Sequence, residues 1–382
     1  MVRKRKEEAL SQEAVITEFT TRAELRKMKE QVGKKKRHTL RWFLLSVLVF
    51  LLLGGGYLYN EFNTALHGGY NMVTKKAADG SEIKVPSDVL RAPREVFHGE
   101  TSINGANNIL LLGTDQRADE ASSDSRSDSI MILQLDGPSG KPKLLSIMRD
   151  TLVEVPGVAG YQKINSAFAI GEQNNHQGAE LLRQTIKENF DIDCKYYASV
   201  DFSSFAQVVD SLFPNGVKID AKFATVDGQN VTSVEVPDDL AQVPGENVPL
   251  QTIHVGEQRM NGQTLLNYAR FRHDDENDFG RVKRQQQVIS VLKEQVQNPA
   301  ILLNAPKAIG QVLSFTSTDV PNDFITGQVW NVVMGSSGAN LETMTIPNSD
   351  DYTSYYDESI GSALQITDAQ ALEHQINEFL GQ

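Results

Sequence analysis

Hydrophobic and polar positions divide this chain into stretches of different texture. Trp42 to Tyr59 is uncharged and mostly apolar. With Thr39 and Leu40 it approaches the ~20 residues that cross a bilayer. Trp42 marks one edge, and Tyr57 and Tyr59 the other, as an aromatic belt does. The expectation is one transmembrane helix over 39–59, after a polar tail over 1–38. Residues 60–104, broken by Gly68, Gly69, Pro86 and Pro93, read as a stalk. From Asn107 the pattern becomes globular. Short apolar runs at Ile109–Leu112, Ser129–Leu135 and Leu144–Ile147 predict buried strands. Helical periodicity follows at Gly178–Phe190 and Ser203–Leu212. Residues 217–256, rich in Val and Thr and punctuated by turn residues, predict hairpins. Asn261 is placed to cap a helix that runs to Arg270, and a last helix is predicted from Asp368 to Phe379. Strands mixed with helices predict an α/β fold, a three-layer α/β/α sandwich with a mixed central sheet, preceded by one transmembrane helix. Residues 105–298 would be its core and 299–382 would complete the same domain.

One stretch departs from ordinary amphipathic patterning. Arg270 to Gln287 reads as an extended segment, an acidic turn, and a helix from about Asp278–Gly280 to Val296. Val282, Val288, Ile289, Leu292 and Val296 share one face of that helix. Arg281 and Gln285 fall on the same face, at its N-terminal end. An arginine on a buried stripe implies that this end borders a polar pocket. Arg270 and Arg272, two apart in extended chain, point the same way. Arg270, Arg272, Arg281 and Gln285 could therefore converge beside a helix N-terminus, where backbone N–H groups favour anions. Two readings follow: a phosphate or pyrophosphate cradle, or a surface ion-pair network with Asp274, Asp275, Glu276 and Asp278. The face on which Arg281 lies favours the cradle.

Charge sharpens this. The chain carries a formal −12, but residues 1–41 hold 13 of the 37 basic and 6 of the 49 acidic residues, leaving −19 on the remainder. An acidic body argues against nucleic-acid binding and makes a local arginine cluster more informative. The basic tail ahead of the apolar span places the N-terminus in the cytoplasm and the body outside the plasma membrane. A cleaved signal peptide is the alternative, opposed by the long tail and the lack of a small-residue cleavage site. The lone Cys194 excludes an intramolecular disulfide and a cysteine metal site, and reads as a small, partly buried side chain.

Three polar stations flank the first three predicted strands: G113-T-D-Q-R117, S125-R-S-D128 and M148-R-D-T151. If the strands run up, down, up, then Asp115, Asp128, Arg126 and Arg149 meet at one sheet edge. Carboxylates beside arginines suit a divalent cation held against phosphate oxygens. Each Asp read alone would be an ordinary turn residue.

These stations lie within a larger pattern. N108-I-L-L-L-G-T-D-Q-R117, R126-S-D-S-I-M-I-L133, L144-L-S-I-M-R-D-T151, Q162-K-I-N-S-A-F-A169, and Y268-A-R-F-R272 followed by D278-F-G-R-V-K-R-Q-Q286 resemble the LytR–CpsA–Psr family, in order and over about residues 105–298. Met148 stands where that family often has proline before Arg-Asp, and P214-N-G-V217 where it often has Gly-Gly-Val; neither touches a charged role. The resemblance implies transfer of a glycopolymer (teichoic acid, capsular or other wall polysaccharide) from a polyprenyl-pyrophosphate carrier to peptidoglycan, in a Gram-positive envelope. It implies Mg²⁺, with Mn²⁺ as a substitute, at Asp115 and Asp128. It implies pyrophosphate contacts from Arg126, Arg149, Lys163, Arg270, Arg272, Arg281 and Gln285, and an apolar cavity for the lipid. Asp115, Asp128, Arg149 and Arg281 are the candidate catalytic residues. The acceptor would be a glycan hydroxyl, the muramic acid 6-OH. Two other classes use the same residues: a pyrophosphate hydrolase, and a non-catalytic envelope regulator that binds polyprenyl phosphates.

Overall fold

The computed structural model describes residues 54–62, 64, 73–76, 82–85, 99–114, 127–174, 177–241, 247–296, 298, 301, 310, 317–321, 324 and 341–382. Residues 61–382 form one compact unit. A small antiparallel pair, β1 (Val73–Lys76) and β2 (Glu82–Val85), falls inside the expected stalk. The three apolar runs form β3 (Ile109–Thr114), β4 (Ser127–Gln134) and β5 (Lys143–Ile147). They pair antiparallel in sequence order, so they do run up, down, up. Past β5 come β6 (Leu152–Glu154), β7 (Tyr161–Lys163), α1 (Ile164–Gln173), α2 (Gly178–Phe190), β8 (Tyr196–Asp201) and α3 (Phe202–Leu212). Strands β9 (Val217–Ala221), β10 (Ser233–Pro237), β11 (Leu250–His254) and β12 (Gly256–Met260) follow, then α4 (Gly262–Arg270) and α5 (Asn277–Val296). The chain ends with β13 (Ser317–Thr318), β14 (Glu342–Ile346), the hairpin β15 (Tyr352–Asp357) and β16 (Gly361–Ile366), and α6 (Ala369–Leu380).

The main sheet has six strands in the order β13-β8-β3-β4-β5-β14. Strand β8 is parallel to β3 and β14 parallel to β5, while the other neighbours are antiparallel, so the sheet is mixed. Alternation along each strand sorts its side chains between two faces. Leu110, Leu112, Ile130, Ile132, Leu145, Ile147 and Ile346 face α1, α2 and α6 and are at most 2% exposed. Each such side chain contributes about 1.5–3 kcal/mol of burial. The opposite face meets α5 through hydrogen bonds. Gln285 donates to Ser129 Oγ at 2.8 Å, and Gln286 to Ser146 Oγ at 2.9 Å and Thr345 Oγ1 at 3.0 Å. Helices therefore lie on both faces. A second core joins α3, α4 and α5 to β9–β12.

Helix starts follow their capping chemistry. Asn261 Oδ1 accepts the Thr264 N–H at 2.8 Å, as its place before α4 predicts. Asp368 does the same for Ala371, and Asp201 for Ser204. Several elements have no clear sequence signal. Helix α1 is one. In the expected hairpin region, β10 and β11 do pair, but β9 pairs with β12 around them. Residues 39–53 of the expected membrane helix lie outside the described residues. No described helix is long and apolar enough to cross a bilayer.

Candidate active site

The site is built where the ends of β3, β4 and β5 meet the first turn of α5. Asp128 is the second residue of β4, and Arg149 lies two residues past β5. The segment Met148–Thr151 is held from several sides. Met148 N–H donates to Ile346 O at 2.8 Å, and Asp150 O accepts the Leu364 N–H at 2.9 Å. The first two amides of α1, Ile164 and Asn165, donate to Thr151 O at 2.9 Å and Arg149 O at 3.2 Å. So Q162-K-I-N165, which had no local signal as a helix start, anchors the segment that carries Arg149.

On this frame the charges interlock. Arg149 Nη1 donates to Asp128 Oδ1 at 2.6 Å. Arg281 Nη1 lies 3.8 Å from the same oxygen, and Arg281 Nη2 donates to Asp278 Oδ2 at 2.9 Å. Arg149 Nε lies 3.5 Å from Asp150 Oδ2 and 3.7 Å from Asp278 Oδ1. Lys163 Nζ is 3.1 Å from Asp150 Oδ1. The Arg281 side chain is 4% exposed. That burial overturns the surface network: Arg281 pairs with Asp278, but inside the protein. Arg270 stacks its guanidinium 3.8 Å from the centre of the Phe202 ring, which opens α3. Arg272 is exposed, yet its charge is felt at both Asp128 and Arg281.

Burial alone would raise the Asp128 carboxyl. The Arg281 and Arg149 guanidiniums, the Arg149 hydrogen bond and the more distant Arg272 outweigh it and hold the group below its ordinary 3.8. Burial likewise pulls Arg149 down, but Asp278, Asp128 and Asp150 carry it above its ordinary value. Arg281 differs. Burial is again the largest influence, but here, with the neighbouring Arg149 and Arg272, it outweighs Asp278 and Asp128, leaving Arg281 below its ordinary value. An arginine remains charged under all these influences. Its buried charge is thus incompletely answered by carboxylates. The Nε donors of Arg149 and Arg281 are buried and have no hydrogen-bond partner among the described residues. A guanidinium with a spare donor and an incompletely answered charge suits an added anion.

Some expected residues sit differently. Gln285 directs its amide to Ser129, one residue beyond Asp128, so here it ties α5 to the sheet. The N-terminus of α5 is not open either. Asn277 N–H donates to Asp274 O, and Phe279 and Gly280 N–H both donate to Glu276 O. The acidic turn folds under the helix and takes these amides, so the anion preference at this spot comes from arginine side chains. Asp115 and Arg126 lie outside the described residues, in the segment bracketed by Thr114 and Ser127, which pair at this edge. Asp150, on Lys163, and Arg284, on Asp274, join these charges without a distinctive sequence signal of their own. The spacing 281, 284, 288 would have placed Arg284 on the buried stripe. Cys194, expected to be partly buried, is fully buried, and that burial pushes its thiol up to about 12.

Comparison with known proteins follows this geometry. The LytR_cpsA_psr family profile matches residues 69–372, beginning inside the expected stalk. "Regulatory protein MsrR" of Staphylococcus aureus (strain COL) is 36% identical over 287 residues, covering 74% of this chain and 78% of that protein. "Polyisoprenyl-teichoic acid--peptidoglycan teichoic acid transferase TagU" of Oceanobacillus iheyensis is 26% identical over 320 residues, covering 82% and 86%. The crystal structure of B. subtilis TagV superposes with a TM-score of 0.55 at 22% identity, over 74% of this chain and 98% of that one. A structure of TagT bound to LIIa-WTA gives 0.53 at 22% identity, over 76% and 96%. At these identities the two structures establish a shared fold.

Proposed function

The chain belongs to the LytR_cpsA_psr family, and from that premise we propose that it is a membrane-anchored phosphotransferase. It would move a glycopolymer from a polyprenyl-pyrophosphate carrier to peptidoglycan. The observation that carries the reading is the buried Arg281 beside Arg149, both on Asp128, with the Nε donor of Arg281 unpaired among the described residues. The name of the Oceanobacillus iheyensis relative supports the reaction class. A pyrophosphate gripped there would meet Arg149 and Arg281, with Lys163, Arg270 and Arg272 around it and Arg126 from the neighbouring segment. A glycan hydroxyl, the muramic acid 6-OH, attacks the phosphorus that bears the polymer. The bond from that phosphorus to the bridging oxygen breaks, and polyprenyl phosphate leaves. Charge develops on the bridging and terminal oxygens, where fixed guanidiniums lower the barrier. The hydroxyl proton passes to a carboxylate at the edge, and Asp115, Asp128 and Asp278 are the candidates.

The donor set fits Mg²⁺ that arrives with phosphate. Both arginine contacts of Asp128 fall on Oδ1. Among the described residues no group of three or more His, Cys, Asp or Glu could cage an ion. Mg²⁺ needs only one or two carboxylates when phosphate and water complete its shell. Asp128 and Asp115 would hold it, and Mn²⁺ could replace it. Once bound, the ion would draw charge from the phosphate oxygens.

The test is reconstitution of full-length protein with a short lipid-pyrophosphate glycan and peptidoglycan oligomers, read by mass spectrometry. Release of polyprenyl phosphate should require the acceptor and yield a phosphodiester-linked product. Release without acceptor would instead show a hydrolase. A second reading, a regulator that binds polyprenyl phosphates without turnover, is favoured by the name of the Staphylococcus aureus relative. Binding with no release in either condition would select it.

The proposed topology is testable by itself. The basic tail and apolar span put residues 1–38 inside and 60–382 outside. Protease added to intact protoplasts should digest the body and spare the tail. Protection of the body would overturn both the topology and the wall function.

A further inference from the structure

One turn beyond Arg281 lies a second pair of charges that the proposed reaction does not use. The Arg284 and Asp274 side chains are 4% and 0% exposed. Arg284 Nη1 donates to Asp274 Oδ2 at 2.6 Å, and Nη2 donates to the Phe271 carbonyl. The guanidinium lies 5.3 Å from the centre of the Phe271 ring and 5.6 Å from that of Phe223. Asp274 Oδ2 also accepts the Ala224 N–H at 3.2 Å. The pair thus clasps three pieces of chain: the segment after β9, the stretch from Phe271 to Asp274, and α5.

Stability alone is a poor account of this pair. Burying two charges costs several kcal/mol per ion, and apolar residues of similar volume would often serve a core as well. Asp274 Oδ1 and Arg284 Nε, moreover, have no hydrogen-bond partner among the described residues. Gly280, the residue before Arg281, also makes room for it. A Cβ there would lie 2.8 Å from Asp274 Oδ1 and 3.1 Å from Arg284 Nη1.

We infer that Arg284, Asp274 and Gly280 form a positioning latch that holds Arg272 and Arg281 in place relative to one another for a single pyrophosphate. The inference rests on the phosphate-cradle reading and deepens it. Phe271 and Asp274 bracket Arg272 and are both gripped by Arg284. The Asp274 carbonyl takes the first amide of α5 at 2.9 Å, so the start of the helix bearing Arg281 follows the latch. An error of about 1 Å in such a set costs on the order of 100-fold.

The probe is geranylgeranyl pyrophosphate, titrated calorimetrically into the full-length protein in detergent. Arg284→Lys keeps the charge but loses the fork that reaches Asp274 and Phe271 together. It should weaken binding about 10-fold, the loss of one charge-assisted contact. Gly280→Ala keeps both charges, pushes Asp274, and should weaken binding to a similar degree; it also serves if the lysine variant fails to fold. The deciding readout is the coupling. In an Arg281→Ala background, Arg284→Lys should cost clearly less than the ~10-fold expected in the wild-type background, because one of the arginines that the latch sets is already removed. A merely structural role would give the same loss in both backgrounds and would overturn the latch. Wild-type affinity in a folded latch variant would overturn it too, while a loss confined to Arg281→Ala would leave the cradle standing. No binding by the wild type would end both.

Discussion

Arg281→Ala should lower transfer to peptidoglycan about 100-fold, and Arg281→Lys about 10-fold, with folding retained in both. The size follows from the loss of charge-assisted contacts worth on the order of 1.5–3 kcal/mol each when made in the transition state. Lysine carries the charge but has no second prong for a phosphate. If Arg281 served only to neutralise Asp278 at 2.9 Å and Asp128 at 3.8 Å, lysine would be an adequate substitute. Near-wild-type turnover by the lysine variant would therefore remove Arg281 from the cradle. Asp128 keeps Arg149 at 2.6 Å in either variant, so no carboxylate at the edge is left wholly unanswered. Arg149→Ala combined with Arg281→Ala should lose less than the product of the single losses, since both would hold one ligand. Thermal unfolding run alongside separates lost chemistry from lost folded protein.

Asp128→Asn should be as damaging, about 100-fold, and its pH behaviour should identify the charge as the cause. The carboxylate holds two guanidiniums, and the amide cannot neutralise them. Its folded pKa lies below the unfolded 3.8. A carboxyl depressed by folding contributes stability in full above the unfolded value and loses it as pH falls through the folded one. The gap in melting temperature between wild type and Asp128→Asn should thus be constant from neutral pH to about one unit above 3.8. Below that it should close. A gap that persists in acid would mean that packing, not charge, is what the substitution removed. Rates measured over a Mg²⁺ titration belong in the same experiment. A wild type indifferent to Mg²⁺ would take the ion out of the mechanism, and an active Asp128→Asn would take the residue out of the site.

How far the site was legible depends on the range of each signal. Strands β3, β4 and β5, helix α2, the cap at Asn261 and the last helix from Asp368 are legible from neighbours a few residues apart, and they stand close to where expected. The antiparallel order of the three strands brought Asp128 and Arg149 to one edge. Arg281 was recognised because a helix repeats every 3.6 residues, so an arginine on the apolar stripe stands out. The same period places Arg284 on the buried side of the helix, among apolar residues. The helix N-terminus differs from its sequence-based expectation. The acidic turn that looked like a loop folds back to take its amides, and that depends on the left-handed conformation of Asn277, at φ 47°.

Sequence by itself determined β3, β4, β5, the helices α2 to α6 and the family pattern, because periodicity and capping act over a few residues. Tertiary structure decided the rest. It pairs β14 with β5 in parallel, from Glu342 against Lys143 to Ile346 against Ile147. It stacks Arg270 on Phe202 and turns Gln285 to Ser129. It also closes Arg284 on Asp274 and brings Arg281 to Asp128. An ion pair between positions 128 and 281 leaves no trace in local spacing. It exists because sheet register and helix packing, both long-range and set by burial, bring those side chains within reach of one oxygen.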